Sequence, residues 1–431
     1  SLKNATVENL VIDSSCSFTG YWTGALSVSV NGSLTVKNTT NNAVVDGRER
    51  IGGFIGHMFG LEQGAVISFE DCVSNANVTA NGTDVGGFVG IIHDSTNMRI
   101  TIFNSINNGN VTGIYSVGGF VGAIFRNSKV TMTISNTTYG GSVNGKGSTG
   151  GFVGYILYNT NMTIAISNTI NNGNVIGSEC NVGGIIGGIF SNTNMTMAIS
   201  NSINNGIVTN SGNDVGGFVG IIHESTNISI TISNSTNNGN VTGSEQSVGG
   251  FWGAIYQNSE VAMIVSNSIN NGNVTGSQFI GGFIGYISRN SNMTMTISNS
   301  INNGVITSTV NVGAFVGWIS SNTNTTITFS NTINNGNVIG GWNVGGFIGR
   351  IISSLVSFSI TLCITNSANK GSILAKQGTA CGFVCVDPQY NMNVKTAMKN
   401  SINKGSVNGG TYGYGIASKI TVARNVVSMG D

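Results

Sequence analysis

Side chains able to carry acid–base chemistry are few and scattered: 16 Asp and Glu stand against 17 Lys and Arg in 431 residues, 8% charged in all. Asp84 and Asp214 share one position of a repeated unit, and the pairs His93–Asp94 and His223–Glu224 share another. Carboxylates on neighbouring turns of such a repeat would suit glycoside hydrolysis, or Ca²⁺-assisted cleavage with a basic residue. The spacing argues against both. Ser116, Ser148 and Asn181 fill the position between Asp84 and Asp214, so at a strand spacing of ~4.8 Å the two acids fall roughly 19 Å apart. No CxxC, HExxH or EF-hand spacing occurs, so neither metal nor other cofactor is expected. No catalytic residue is assigned, and the chain reads as a non-enzyme.

Other residues suggest covalent and contact chemistry. Of the six cysteines, Cys381 and Cys385 flank Gly382-Phe383-Val384. They are candidates for a disulfide in an oxidising compartment, with free buried thiols the alternative. Fifteen N-x-[S/T] sequons occur, no more than this composition places by chance. Asn161, Asn194, Asn227, Asn292 and Asn324 share one column at the start of an exposed strand, and Asn77, Asn110, Asn240 and Asn273 are further candidate glycan acceptors. Thr131/Thr133, Thr294/Thr296 and Thr326/Thr328 form an array that an ice surface could match, although Thr also favours any solvated strand face. Tyr155, Tyr286 and Trp318, with Trp252 nearby, read as an outward aromatic face for lateral packing or for sugar rings.

These residues are positioned by a repeat. The block VGGFVG recurs ten times, its first glycine running from Gly52 to Gly345 in steps of 32 to 34. Degenerate copies follow at Cys381 (ACGFVC) and Gly413 (YGYGIA), and one precedes at Gly20 (TGYWTG). A longer period of 130–131 residues overlies it: FVGIIHDSTN from Phe88 returns as FVGIIHESTN from Phe218, and FVGAIFRNS from Phe120 as FWGAIYQNS from Phe251. This is a duplicated four-turn block.

Within the unit, NMTMTISNS alternates with period two, which marks a strand with Met293, Met295 and Ile297 inward and Thr294 and Thr296 outward. GGFVG supplies a second strand carrying a Phe column, and NGNVTGS a short third. Three strands in 32–33 residues describe one coil of an all-β parallel β-helix, right-handed, with about thirteen coils. A β-propeller blade would need more residues. Asn104, Asn136, Asn168, Asn201, Asn234, Asn267, Asn299, Asn331, Asn366 and Asn400 form an unbroken column, expected to be an internal amide ladder. Residues 1–50 read as atypical N-terminal coils, 51–366 as regular coils and 367–431 as diverged C-terminal coils.

The G-G-F-[VI]-G core followed by NNGNVTG resembles the GLUG-type repeat of bacterial and protist surface proteins, over nearly the whole chain. The resemblance implies an extracellular, surface-attached, adhesive or fibrous protein, and it carries over no catalytic residue. Composition agrees with a limited set of partners. With 64 Gly, one Pro and a net charge of +1, the chain is neither collagen nor a nucleic-acid binder, and no apolar run is long enough to span a bilayer. Ser1-Leu2-Lys3 is neither a signal peptide nor a cap, and the late lysines Lys370, Lys376, Lys395, Lys399 and Lys404 could blunt one strand edge. The expectation is a fragment of a longer chain or a subunit that stacks on others. The reading is a structural β-solenoid of a surface filament, appendage or adhesin. Its partners are copies of itself, other surface proteins or glycans. A glycan-binding adhesin module is the alternative, ahead of an ice-binding protein or a polysaccharide-active enzyme.

Overall fold

The computed structural model describes residues 1–353, 358–386, 393–414 and 422–428; residues 415–417 of the YGYGIA copy and the last three residues lie outside them. The described residues form strands and no helix, so none is long and apolar enough to cross a membrane. The strands pair in parallel and stack as about twelve coils of a β-solenoid. They fall into two compact units, residues 1–210 with 218–220 and residues 211–217 with 221–431.

In the first unit a representative coil runs through Val143–Asn144, Gly147–Gly150, Val153–Leu157, Thr160–Ser167 and Ile170–Asn171. Each strand lies in register on its copy in the next coil: Val153 on Ile186, Ile164 on Met197, Ile166 on Ile199. Alternation fixes the faces of the long strand. Met162, Ile164 and Ile166 are buried while Thr163 is exposed. The Phe column is fully buried, with ring centroids 4.9 Å apart for Phe54–Phe88, 4.8 Å for Phe88–Phe120 and 5.1 Å for Phe120–Phe152. Burying each such ring contributes about 1.5–3 kcal/mol.

The second unit repeats the design in Val274–Gly276, Gln278–Gly281, Ile284–Ser288, Ser291–Ser298 and Ile301–Asn302. Met295 pairs with Ile327 and Ile297 with Phe329. Phe251, Phe283, Phe315, Phe347 and Phe383 stack at 4.7–5.0 Å.

A regular coil thus has five strand segments rather than three, for two reasons. The GGF block is a reversal, not part of one strand. It separates Val85–Gly86 from Val89–His93. The chain turns so tightly there that a Cβ on Gly86 would lie 2.0 Å from the Val89 carbonyl oxygen, which leaves room for glycine alone. Because Phe88 and Val89 straddle this bend, both point inward. That corrects the placement of Trp252, which stands in the Val89 column. It is fully buried rather than on an outer contact face.

The second reason is a left-handed residue after the long strand, and it corrects the Asn ladder. Asn104, Asn136, Asn168, Asn201, Asn234, Asn267, Asn299, Asn331, Asn366 and Asn400 are exposed, with φ of 47–52°. Asn is there because it tolerates this backbone conformation better than other side chains with a Cβ. Their amides do pair, Asn168 Nδ2 donating to Asn136 Oδ1 at 3.1 Å and Asn331 Nδ2 to Asn299 Oδ1 at 3.1 Å, but on the surface. The internal ladder stands three residues further on. In the second unit Asn237, Asn270, Asn302, Asn334, Asn369 and Asn403 are fully buried, each Nδ2 donating to the next Oδ1 at 2.6–2.9 Å. A second buried ladder joins Asn127, Asn159 and Asn192 in the first unit and Asn258, Asn290 and Asn322 in the second. Every buried amide so paired avoids the ~1–3 kcal/mol of an unsatisfied polar group.

Candidate functional site

The GGF reversal folds the strand that follows it back against the residues that precede it. A Cβ on Gly90 would lie 2.4 Å from the Gly56 oxygen and 2.8 Å from the Asp84 oxygen, so this glycine lets the two segments touch. Asp84 and Ile91, on either side of the bend, consequently face one groove. Asp84 and Ser116 line it, and together with Ser148 in the next coil they keep left-handed backbone at φ 64°, 57° and 48°.

In the first unit the groove opens into a cavity of about 380 Å³. Asp84, Thr83, Ser116 and Arg50 line one wall; Ile91, Ala123, Phe125 and Tyr155 line the other. Solvent touches part of Asp84, yet the walls strip enough water to push its carboxyl up to about 6. Arg50 and hydrogen bonds from Thr83 and Ser116 pull the other way. Burial pushes the Tyr155 hydroxyl up to about 12. Beside them His57 is driven down to about 4, by burial first and then by Arg50 and His93. His93 is lowered by burial too, although its Nδ1 lies 3.0 Å from Asp94 Oδ2. Asp94 shares the cavity rim with Asp84, so two carboxylates do meet one groove here.

The second unit holds the counterpart, a cavity of about 310 Å³. Asp214, Ser247, Ile221, Ala254, Tyr256 and Tyr286 take the places of Asp84, Ser116, Ile91, Ala123, Phe125 and Tyr155. The Asp214 carboxyl is pushed by burial up to about 7, with only the Ser247 hydrogen bond opposing. Arg289 at the rim donates to the Tyr256 hydroxyl at 2.7 Å and lies 5.6 Å over its ring. Phe279 takes the place of Ser148 in the same column and keeps the left-handed backbone, φ 50°. Its ring packs 3.9 Å from Trp318 and 5.1 Å from Tyr286, centroid to centroid, and Arg350 lies 5.6 Å over Trp318. Glu224, the counterpart of Asp94, is not on this cavity wall.

Tyr155 and Tyr286 are therefore half-buried groove walls rather than an outward stripe, and Trp318, half-buried as well, lies outside both grooves. Cys381 and Cys385 are joined by a disulfide, Cα to Cα 5.6 Å. The sequon residues Asn161, Asn194, Asn227, Asn292 and Asn324 are exposed with φ of 45–55°, and Asn194 donates to Asn161 at 3.0 Å. Asn77, Asn110, Asn240 and Asn273 are exposed as well, and their Oδ1 atoms accept backbone N–H groups of the following coil at 2.9–3.0 Å. Among the described residues no three His, Cys, Asp or Glu side chains stand together in a way that would hold a metal ion.

The grooves were missed in the sequence because Asp84 and Tyr155 lie 71 positions apart. The available signal was that the 130–131-residue repeat returns Asp, Ser, Ala and Tyr at matched columns. The arrangement presents hydroxyl-pairing groups on one wall and an apolar, aromatic strip on the other. No family model, curated protein or solved structure matches the chain.

Proposed function

We propose that the chain is a non-enzymatic structural β-solenoid of an extracellular surface assembly, a stiff element that associates with copies of itself. The observation that carries this reading is the unbroken buried ladder from Asn237 to Asn403. Interior polar groups are spent on locking coil to coil, which supports a mechanical role. Low charge removes the self-repulsion that keeps many proteins apart. The disulfide at Cys381–Cys385 and the exposed sequon asparagines support an oxidising, extracellular setting. The likeness of the repeat to GLUG-type surface proteins belongs to the same proposal. Sedimentation velocity over a wide concentration range, with electron microscopy of the same samples, tests it. Concentration-dependent assembly into regular filaments or bundles is expected; a monomer at every concentration contradicts it.

The grooves favour a second reading, a glycan-binding adhesin module, because aromatic rings beside acid and hydroxyl groups are the chemistry that sugars meet.

A further inference from the structure

We propose that the chain carries two copies of one saccharide subsite, the Asp84 groove and the Asp214 groove, each seating a single neutral pyranose residue against Tyr155 or Tyr286. The inference rests on the glycan-binding reading and gives it a location, a stoichiometry and a ligand charge.

Duplication is the first argument. The 130–131-residue repeat could have drifted freely at the surface, and at the rims it did: Arg126 became Gln257, and Tyr158 became Arg289. Among the wall residues Thr83 and Phe125 stand as Asn213 and Tyr256, while the acid, serine, isoleucine, alanine and tyrosine are the same in both grooves. Asp94 has no counterpart on the second cavity wall, so the features both copies share are those of binding, and the paired carboxylates that hydrolysis needs are not among them.

Shape and polarity name the ligand class. Cavities of 310–380 Å³ are at the small end of the ~300–1,000 Å³ typical of ligand pockets. A pyranose has one face of C–H bonds and a rim of hydroxyls. The Ile221–Ala254–Tyr286 strip offers an apolar surface to the first, and Asp214 with Ser247 offers donors and acceptors to the second. Charge excludes ions. Arg50 and Arg126 line one groove together with Asp84 and Asp94, and Arg289 lines the other together with Asp214, so neither groove presents charge of one sign. An anion would meet the acid and a cation the arginine. The raised titration of both acids fits, since a carboxyl that gains a proton near neutral pH can donate as well as accept.

The test is methyl NMR of the intact chain titrated with methyl glucoside, methyl galactoside, methyl mannoside and N-acetylglucosamine. The expected result is saturable shifts of the Ile91 and Ala123 methyls and of the Ile221 and Ala254 methyls with at least one sugar. Tyr286→Ala should weaken the second set by about tenfold and leave the first unchanged. The wild-type titration needs no variant, so a poorly folded mutant does not blunt it. Saturable shifts confined to other surfaces would overturn the paired subsites while leaving glycan binding intact. No shift with any sugar at high millimolar concentration would overturn both.

Discussion

The Asp84 and Asp214 grooves share a framework and differ in what surrounds the acid. Arg50 lies near Asp84, whose carboxyl burial pushes up to about 6 against the pull of that arginine. No cation is among the groups that perturb Asp214, which reaches about 7. One column beside the grooves also differs: Ser148 of the first unit is replaced by Phe279, whose ring lies against Tyr286 and Trp318. A bulky residue with positive φ is strained by ~1–3 kcal/mol, of which the Phe279–Trp318 packing offsets ~0.5–1.5 kcal/mol. One backbone design has thus been given two electrostatic settings by changing a few of the residues around a shared acid.

The largest expected difference between the halves concerns Trp252. Its counterpart is Val121, and both are fully buried beside the Phe column. Trp252→Val should destabilise the chain by about 3 kcal/mol through the cavity it opens. Relief of the indole Nε1, which has no hydrogen-bond partner among the described residues, offsets part of that. Urea unfolding measures it. A loss under about 1 kcal/mol would mean that the second unit packs around valine as easily as the first, and that the halves do not differ in core volume.

The acids come next. Both carboxyls titrate higher in the folded chain than the ordinary 3.8. The folded state therefore holds extra protons between pH ~4 and the raised value, and stability is lost as pH rises through about 6 for Asp84 and about 7 for Asp214. His57, lowered to about 4, runs oppositely and adds stability as pH rises from about 4 through 6.5. Asp214→Asn should therefore raise stability at pH 8 by about 2 kcal/mol and remove most of the decline between pH 5 and 8. Asp84→Asn should do less. Equal effects of the two substitutions would show that Arg50 does not matter.

The smallest effect isolates the cation. Arg50→Gln should move the Asp84 titration upward toward that of Asp214, by less than one pH unit, read from carboxyl carbon shifts. An unchanged Asp84 would remove the electrostatic half of the comparison.

How much of this was legible in the sequence follows from what each column encodes. Period-two alternation in NMTMTISNS and the recurrence of Phe are direct consequences of inward and outward pleating, and they placed the long strand and the ring stack correctly. The Asn104 column misled because Asn answers two demands, amide pairing and left-handed backbone, and only φ distinguishes them. The buried column at Asn107 was hidden by its neighbours in NNGN. Trp252 was misplaced because a reversal inside GGFVG breaks the alternation that the reading extended through it. The grooves were invisible for the same reason. Asp84 and Ile91 meet only because the chain doubles back between them.

The account stands on amides that lock one coil to the next from inside. Side-chain hydrogen exchange of the asparagine carboxamides tests this most directly. The Asn270 and Asn302 protons should exchange slower by about a thousandfold than those of Asn267 and Asn299, three residues earlier on the surface. Comparable exchange at the two columns, or slow exchange at Asn267 and Asn299 alone, would contradict it.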